Sequence, residues 1–236
     1  MYFRVAAALI GFFAFGATGA SAGVIPIANS NFENAVSLPW GGGVYGSWGE
    51  NFSGWQKTAG TAGTWAPLSG NAMYTTLPDE IGTQFGYVSS GVTVYQTLNY
   101  TIESGVDLSL SALIGHRADK SFFQGEMGVF VGTIDNAIAS INLSDPGLGQ
   151  WSLQSLLIDS VLLQAYVGQQ LGIFIRVAAG GTPAQLHFDN FSLTAEDLGL
   201  VQAKVLVNPL PGAYLLFGSA LAFGGFIRRR ARKTQA

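Results

Sequence analysis

From residue 91 onward, apolar and polar positions alternate along the chain. The cleanest run is VDLSLSALI, residues 106–114. There Val106, Leu108, Leu110, Ala112 and Ile114 fall on one face, and Asp107, Ser109, Ser111 and Leu113 on the other. A period of two predicts a strand with one buried face, and Leu113 is the apolar residue on the wrong side. Further β-rich runs follow at 91–98 (GVTVYQTL), 126–133 (EMGVFVGT), 137–143 (AIASINL), 171–178 (LGIFIRVA) and 185–194 (QLHFDNFSLT), each bounded by turn-forming residues. No long 3.6-period segment with a charged face separates them, so the pattern predicts an all-β fold, an antiparallel sandwich or barrel. Residues 153–166 (LQSLLIDSVLLQAY) also fit a helix; their β surroundings favour strand and turn.

The last run breaks its own period. Leu186 and Phe188 are followed by Phe191 and Leu193, and the step of three would flip the apolar face unless a bulge near Asp189 and Asn190 restores it. His187 and Asp189, two residues apart, share a face of this strand. The N-terminal third has a different character: Gly is frequent, and Trp40, Tyr45, Trp48, Phe52, Trp55, Trp65 and Tyr74 crowd one stretch. Such rings either cap a core or line a ligand surface, since aromatic faces stack on sugars. On the second reading Trp40, Trp48, Trp55 and Trp65 are the glycan-binding candidates.

Composition divides the chain. Of 236 residues, 48% are hydrophobic and 11% charged, and cysteine is absent. Part of the apolar excess lies at the ends. Residues 1–22 read as a secretory signal, with the small residues Ala20 and Ala22 before a cleavage point. Residues 23–197 form the predicted β-sandwich ectodomain, 198–207 a linker, and 208–236 a tail. The tail holds Pro209, Leu210 and Pro211, an apolar segment at 212–227 and a basic end at 228–233 that includes Arg228, Arg229 and Arg230. As a helix the apolar segment is short for a bilayer, at about 24 Å against roughly 30 Å. Positive-inside logic leaves its basic end in the cytoplasm and the β domain outside. Residues 23–207 carry five basic side chains against fourteen acidic ones, a formal charge of −9, which excludes nucleic acid as a partner.

The order of the tail resembles the PEP-CTERM sorting signal of Gram-negative bacteria, with Leu210 where the usual motif has Glu. That resemblance implies signal peptidase and an exosortase as processing partners. It also implies an inner-membrane intermediate and delivery to the cell surface or extracellular matrix, as a structural or adhesive component of exopolysaccharide or biofilm. Within the ectodomain, Asn29-Ser30-Asn31-Phe32-Glu33, Gly54-Trp55 and Phe188-Asp189-Asn190-Phe191-Ser192-Leu193 are similar to galactose-binding-like and carbohydrate-binding modules. This second resemblance implies an antiparallel jelly-roll β-sandwich, flanked here by the signal peptide and a C-terminal transmembrane helix. It also implies a structural calcium with Glu33 and Asp189 as side-chain ligands, and a carbohydrate-binding role as the alternative function. The two histidines, His116 and His187, sit in no metal-ligand spacing or nucleophile motif. The sequence therefore predicts no enzyme and no catalytic residue.

Overall fold

Alternation becomes architecture in two antiparallel sheets. The computed structural model describes residues 22–34, 38–41, 45–68, 70, 72–122, 124–180 and 185–197, all within one compact unit. The first sheet holds β1 (Ala22–Val24), β2 (Trp40–Gly41), β3 (Ser47–Gly49), β5 (Ala62–Ala66), β6 (Phe85–Ser89), β8 (Val106–His116), β11 (Gln150–Ile158) and β13 (Gln185–Asp197). Its order is β11-β8-β13-β6-β5-β3-β2, and β1 pairs with the end of β13. The second sheet runs β10-β9-β12-β7-β4, formed by β4 (Gln56–Lys57), β7 (Thr93–Thr101), β9 (Gly125–Val131), β10 (Ala137–Asn142) and β12 (Gln170–Val177). The all-β sandwich expected from the pattern is therefore present.

The main core lies between the sheets. Leu108, Leu110, Ala112 and Ile114 of β8 and Leu186 and Phe188 of β13 meet Met127, Val129, Ile173 and Ile175 of the second sheet, all buried. Each of these side chains larger than alanine contributes about 1.5–3 kcal/mol by leaving water. The bulge expected on the last strand is present: the register of β13 against β8 shifts between Asp189 and Ser192, and Asn190 takes φ 49°. That shift returns Phe191 and Leu193 to the inner face, where both are buried.

Residues 153–166 divide between the two readings: the first part is strand, as the β context favoured, and residues 160–166 are helical. β11 runs to Ile158, and a short α1 (Ser160–Leu163) follows, its N-terminus capped by the Asp159 side chain accepting from Val161 N. Among the described residues no helix is long and apolar enough to cross a membrane. The expected transmembrane segment at 212–227, the sorting motif Pro209, Leu210, Pro211, Arg228, Arg229 and Arg230, and the signal peptide up to residue 21 lie outside the described residues.

Candidate functional site

The first sheet has a second buried layer on its outer face, away from the main core. β13 supplies its centre. Leu186 and Phe188 point inward, so Gln185, His187 and Asp189 point outward, and His187 and Asp189 are nevertheless completely buried. Strand registers align Gly63, Tyr87, His187, Gly115 and Trp151 in one row across the sheet. A Cβ at Gly115 would stand 2.7 Å from the Trp151 ring, so glycine lets that indole lie down on the sheet. A neighbouring row runs Trp40, Trp48, Trp65, Phe85. The segment carrying Met73, Tyr74 and Ile81 closes over these rings. It is tied down where Ala118 N donates to Met73 O (2.8 Å) and Thr75 N to Gly149 O (3.0 Å). Leu113, the misfit of the β8 pattern, packs against this outer cluster.

Inside the cluster runs a chain of polar groups. Arg117 follows the end of β8 and clamps Asp119 with two 2.8 Å hydrogen bonds, from Nε and Nη2. Its Nη1 donates to Gln185 Oε1 at 2.5 Å. A guanidinium only donates, so Gln185 Oε1 is an acceptor, and the 3.1 Å contact from His187 Nε2 to the same oxygen must be an Nε2–H donation. His187 Nδ1 is then the lone-pair nitrogen, accepting from the Tyr74 hydroxyl at 2.5 Å. Burial, with the Arg117 charge adding, holds the His187 imidazole well below its ordinary pKa, in keeping with this neutral tautomer. Burial likewise pushes the Tyr74 phenol well above 10.0, with Arg117 opposing and Asp119 adding. For Asp119, burial works upward, but the hydrogen bonds and charge of Arg117 outweigh it and hold the group below 3.8. The side chain is a carboxylate at neutral pH.

This chain ends at a surface cleft of about 480 Å³, lined by Tyr45, Trp48, Trp65, Ser89, Ser90, Arg117, Asp119, Lys120 and Gln185. Trp48 stacks on Trp65 with centroids 4.9 Å apart. The Arg117 guanidinium lies 4.9 Å from the Trp65 ring centroid and 5.8 Å from that of Tyr45. His116 fixes the turn that carries Asp119 and Lys120: its Nδ1 contacts Asp145 at 2.7 Å and its Nε2 the Lys120 carbonyl at 2.9 Å.

The expected glycan-binding tryptophans therefore separate. Trp48 and Trp65 line the cleft, and Trp40 is paired opposite Trp48, 47% exposed. Trp55 belongs elsewhere: it is buried in the main core, stacked on Phe32 at 5.4 Å, with its Nε1 donating to Asn29 O. From the sequence alone, Arg117, Asp119, Lys120 and Gln185 had no site role, and His187 was placed only on the strand face that it shares with Asp189. The usable signal was Gln185, His187 and Asp189 on one face of a strand whose other face is apolar.

Glu33 and Asp189, the expected calcium ligands, are near neighbours. Glu33 accepts from Thr83 N (2.6 Å), Thr83 Oγ1 (2.5 Å) and Gln84 N (2.9 Å). Asp189 Oδ1 accepts from Asn190 N, whereas Oδ2 is buried with no hydrogen-bond partner. Burial pushes the Asp189 carboxyl up to about 9; the Asn190 N–H works against this and the Glu33 charge adds to it. An orphaned carboxylate oxygen beside a second carboxylate fits a hard cation. Among the described residues no three His, Cys, Asp or Glu side chains form a metal cluster, so backbone oxygens would have to complete the shell.

A family model described as HpiC1 cyclase, HpiC1-like, matches residues 23–194. Among solved structures, the Stig cyclase Fisc from Fischerella sp. TAU, in complex with (3Z)-3-(1-methyl-2-pyrrolidinylidene)-3H-indole, is 21% identical. The match covers 75% of this chain and 99% of that one, with a TM-score of 0.61. A cyclase from Fischerella sp. TAU, in complex with 4-(1H-indol-3-yl)butan-2-one, is 20% identical over 74% of this chain and 98% of that one, with a TM-score of 0.60. At these identities the structures speak for the fold. Among curated proteins no sequence matches. The family match overturns the expected role as a structural or adhesive component of exopolysaccharide or biofilm, its carbohydrate-binding alternative, and the expectation of no enzyme: the sandwich is of a cyclase kind. Strand alternation describes a scaffold equally well for adhesion or catalysis, and the polar chain behind the cleft forms only on folding.

Proposed function

The chain belongs to the HpiC1-like cyclase family, and from that premise we propose that it closes a ring within one aromatic substrate molecule held in the cleft of Tyr45, Trp48 and Trp65. The observation that carries this reading is an aromatic wall meeting a clamped carboxylate, Asp119, in the same cleft. Ring closure is limited by folding a flexible chain until two carbons meet, and a shaped apolar cleft supplies that placement. The electron-rich faces of Tyr45 and Trp48 stabilise positive charge as it develops on the substrate. Asp119 accepts the proton that an aromatic carbon gives up once the new carbon–carbon bond has formed. The electrophilic carbon gains its charge by protonation from solvent, so proton uptake and release balance and the product is an isomer of the substrate. We read the strand order of the two sheets, between which the chain crosses at most steps from β3 onward, as a jelly roll.

The indoles bound by the Fischerella cyclases make an indole with an alkenyl side chain the first substrate class to test. Incubation followed by liquid chromatography and mass spectrometry is expected to yield a product of unchanged mass and altered retention. Asp119→Asn is expected to slow its formation on the order of a hundredfold. Unchanged substrate, despite binding detected by tryptophan fluorescence, would overturn the catalytic reading.

A calcium ion held by Asp189 and Glu33 is also proposed, supported by the unpartnered Asp189 Oδ2 and the adjacent Glu33 charge. It would tie the turn before Asn34 to β13, and no part of the ring closure passes through it.

A further inference from the structure

The donor and acceptor inventory of the cleft is lopsided. Its acceptors are largely engaged: each Asp119 oxygen already receives Arg117, leaving lone pairs for the proton of ring closure, and Gln185 Oε1 receives both Arg117 and His187. Its donors are not. Among the described residues Lys120 Nζ, Gln185 Nε2 and the Ser89 hydroxyl have no hydrogen-bond partner within the protein, although all three residues line the cleft. Arg117 uses three of its N–H groups on Asp119 and Gln185, leaving about two more of its five. Ser90 Oγ is turned away, donating to Ala178 O and Gly180 O.

Charge points the same way. Residues 23–207 carry fourteen acidic groups and five basic ones, yet two of those five, Arg117 and Lys120, stand at this one cleft with a single carboxylate between them. A locally positive site on an acidic domain selects anions and repels cations that the rest of the surface attracts. Arg117 cannot swing away to create this arrangement by chance, because it is buried and held by Asp119, Gln185 and the faces of Trp65 and Tyr45.

We infer that the cleft binds an aromatic ring bearing an oxyanion such as a carboxylate, with the ring against Tyr45 and Trp48 and the oxyanion received by Lys120 Nζ and Gln185 Nε2. This deepens the proposed function and rests on the same cleft, but it specifies the substrate's polar end, where the cyclase reading specifies only ring closure. Lys120 and Gln185 are then the specificity-determining residues, whereas Asp119 remains the base.

The experiment titrates the whole protein with three matched probes, indole-3-acetate, indole-3-acetamide and tryptamine, following tryptophan emission or heat. Indole-3-acetate is expected to bind about tenfold or more tightly than the other two, as a hydrogen bond to a charged acceptor does. Added salt is expected to narrow that gap. Lys120→Gln, which removes the charge and keeps a polar side chain, is expected to bring the acetate down to the level of the acetamide and leave the acetamide unchanged. Equal or tighter binding of tryptamine, or an acetate preference that survives Lys120→Gln, overturns the inference. Binding is read without turnover, so the two readings can fail separately. Acetate preference without ring closure on any indole removes the cyclase reading alone. Ring closure on neutral indoles without acetate preference removes this inference alone.

Discussion

β13 presents two kinds of burial on one strand. Its inward residues Leu186 and Phe188 sit among aliphatic and aromatic neighbours between the sheets. Its outward residues Gln185, His187 and Asp189 are polar, yet His187 and Asp189 are buried as completely as Phe188. The inner face is stabilised by area removed from water, a non-directional term. The outer face must satisfy each polar atom by a specific partner, because an unpaired buried group costs about 1–3 kcal/mol. It does so unevenly: His187 is paired on both ring nitrogens, while Asp189 Oδ2, Tyr87 Oη and Trp151 Nε1 are left without partners. A face that carries such costs is shaped by something besides stability, and it is the face that holds the cleft.

The sharpest contrast between the faces comes from truncation. Phe188 is fully buried and packs against Phe32, with ring centroids 5.2 Å apart, and against Phe52 and Phe191. Phe188→Ala is expected to lower unfolding free energy by about 3–5 kcal/mol in a denaturant titration. A loss under 1 kcal/mol would mean that the inner face does not carry the fold.

On the outer face the next largest effect is electrostatic. The folded Asp189 carboxyl, raised to about 9, holds a proton that the unfolded chain gives up above 3.8. Its stabilisation is therefore fully present below about pH 3.8 and is lost as pH rises toward 9. In chelator, melting temperature is expected to fall across this window, and Asp189→Asn to flatten the slope. Calcium is expected to restore the melting temperature at neutral pH in the wild type only. A chelator-independent midpoint with no difference between wild type and Asp189→Asn would remove both the shift and the ion.

The smallest of the three effects concerns the paired group. His187→Phe strands the Tyr74 hydroxyl and is expected to cost about 1–3 kcal/mol. Adding Tyr74→Phe is expected to recover part of that loss, giving a coupling of about 0.5–3 kcal/mol in a double-mutant cycle. Strict additivity would show that the Tyr74–His187 contact carries no energy.

The inner face was legible in the sequence, because alternation in β8 and β13 is a local signal that any partner sheet would satisfy. The β13 bulge was legible for the same reason: a step of three between Phe188 and Phe191 admits few local solutions. The cleft was not. Trp48 and Trp65 were named as ligand-surface candidates, but alongside Trp40 and Trp55 and for a glycan. Arg117 and Asp119 fell between the predicted strand runs, and Gln185 began the last of them. Trp55 shared every sequence property of the cleft tryptophans and went to the main core. Composition cannot tell which face a ring in a Gly-rich loop will cover.

The amino-acid sequence by itself determined the strands from residue 91 onward, their inward-facing residues and the acidity of the domain, because each depends on near neighbours or on sums. Tertiary structure alone decided that a segment near Tyr74 would cover the outer face, and that β13 would lie between β6 and β8. Pairing then brought Trp65, Tyr74, Arg117 and His187, distant in sequence, within hydrogen-bond and ring-stacking reach. Long-range strand pairing creates such neighbours only once the chain has closed its loops, so the linear pattern holds the polar face of β13 but not the partners that make it a cleft.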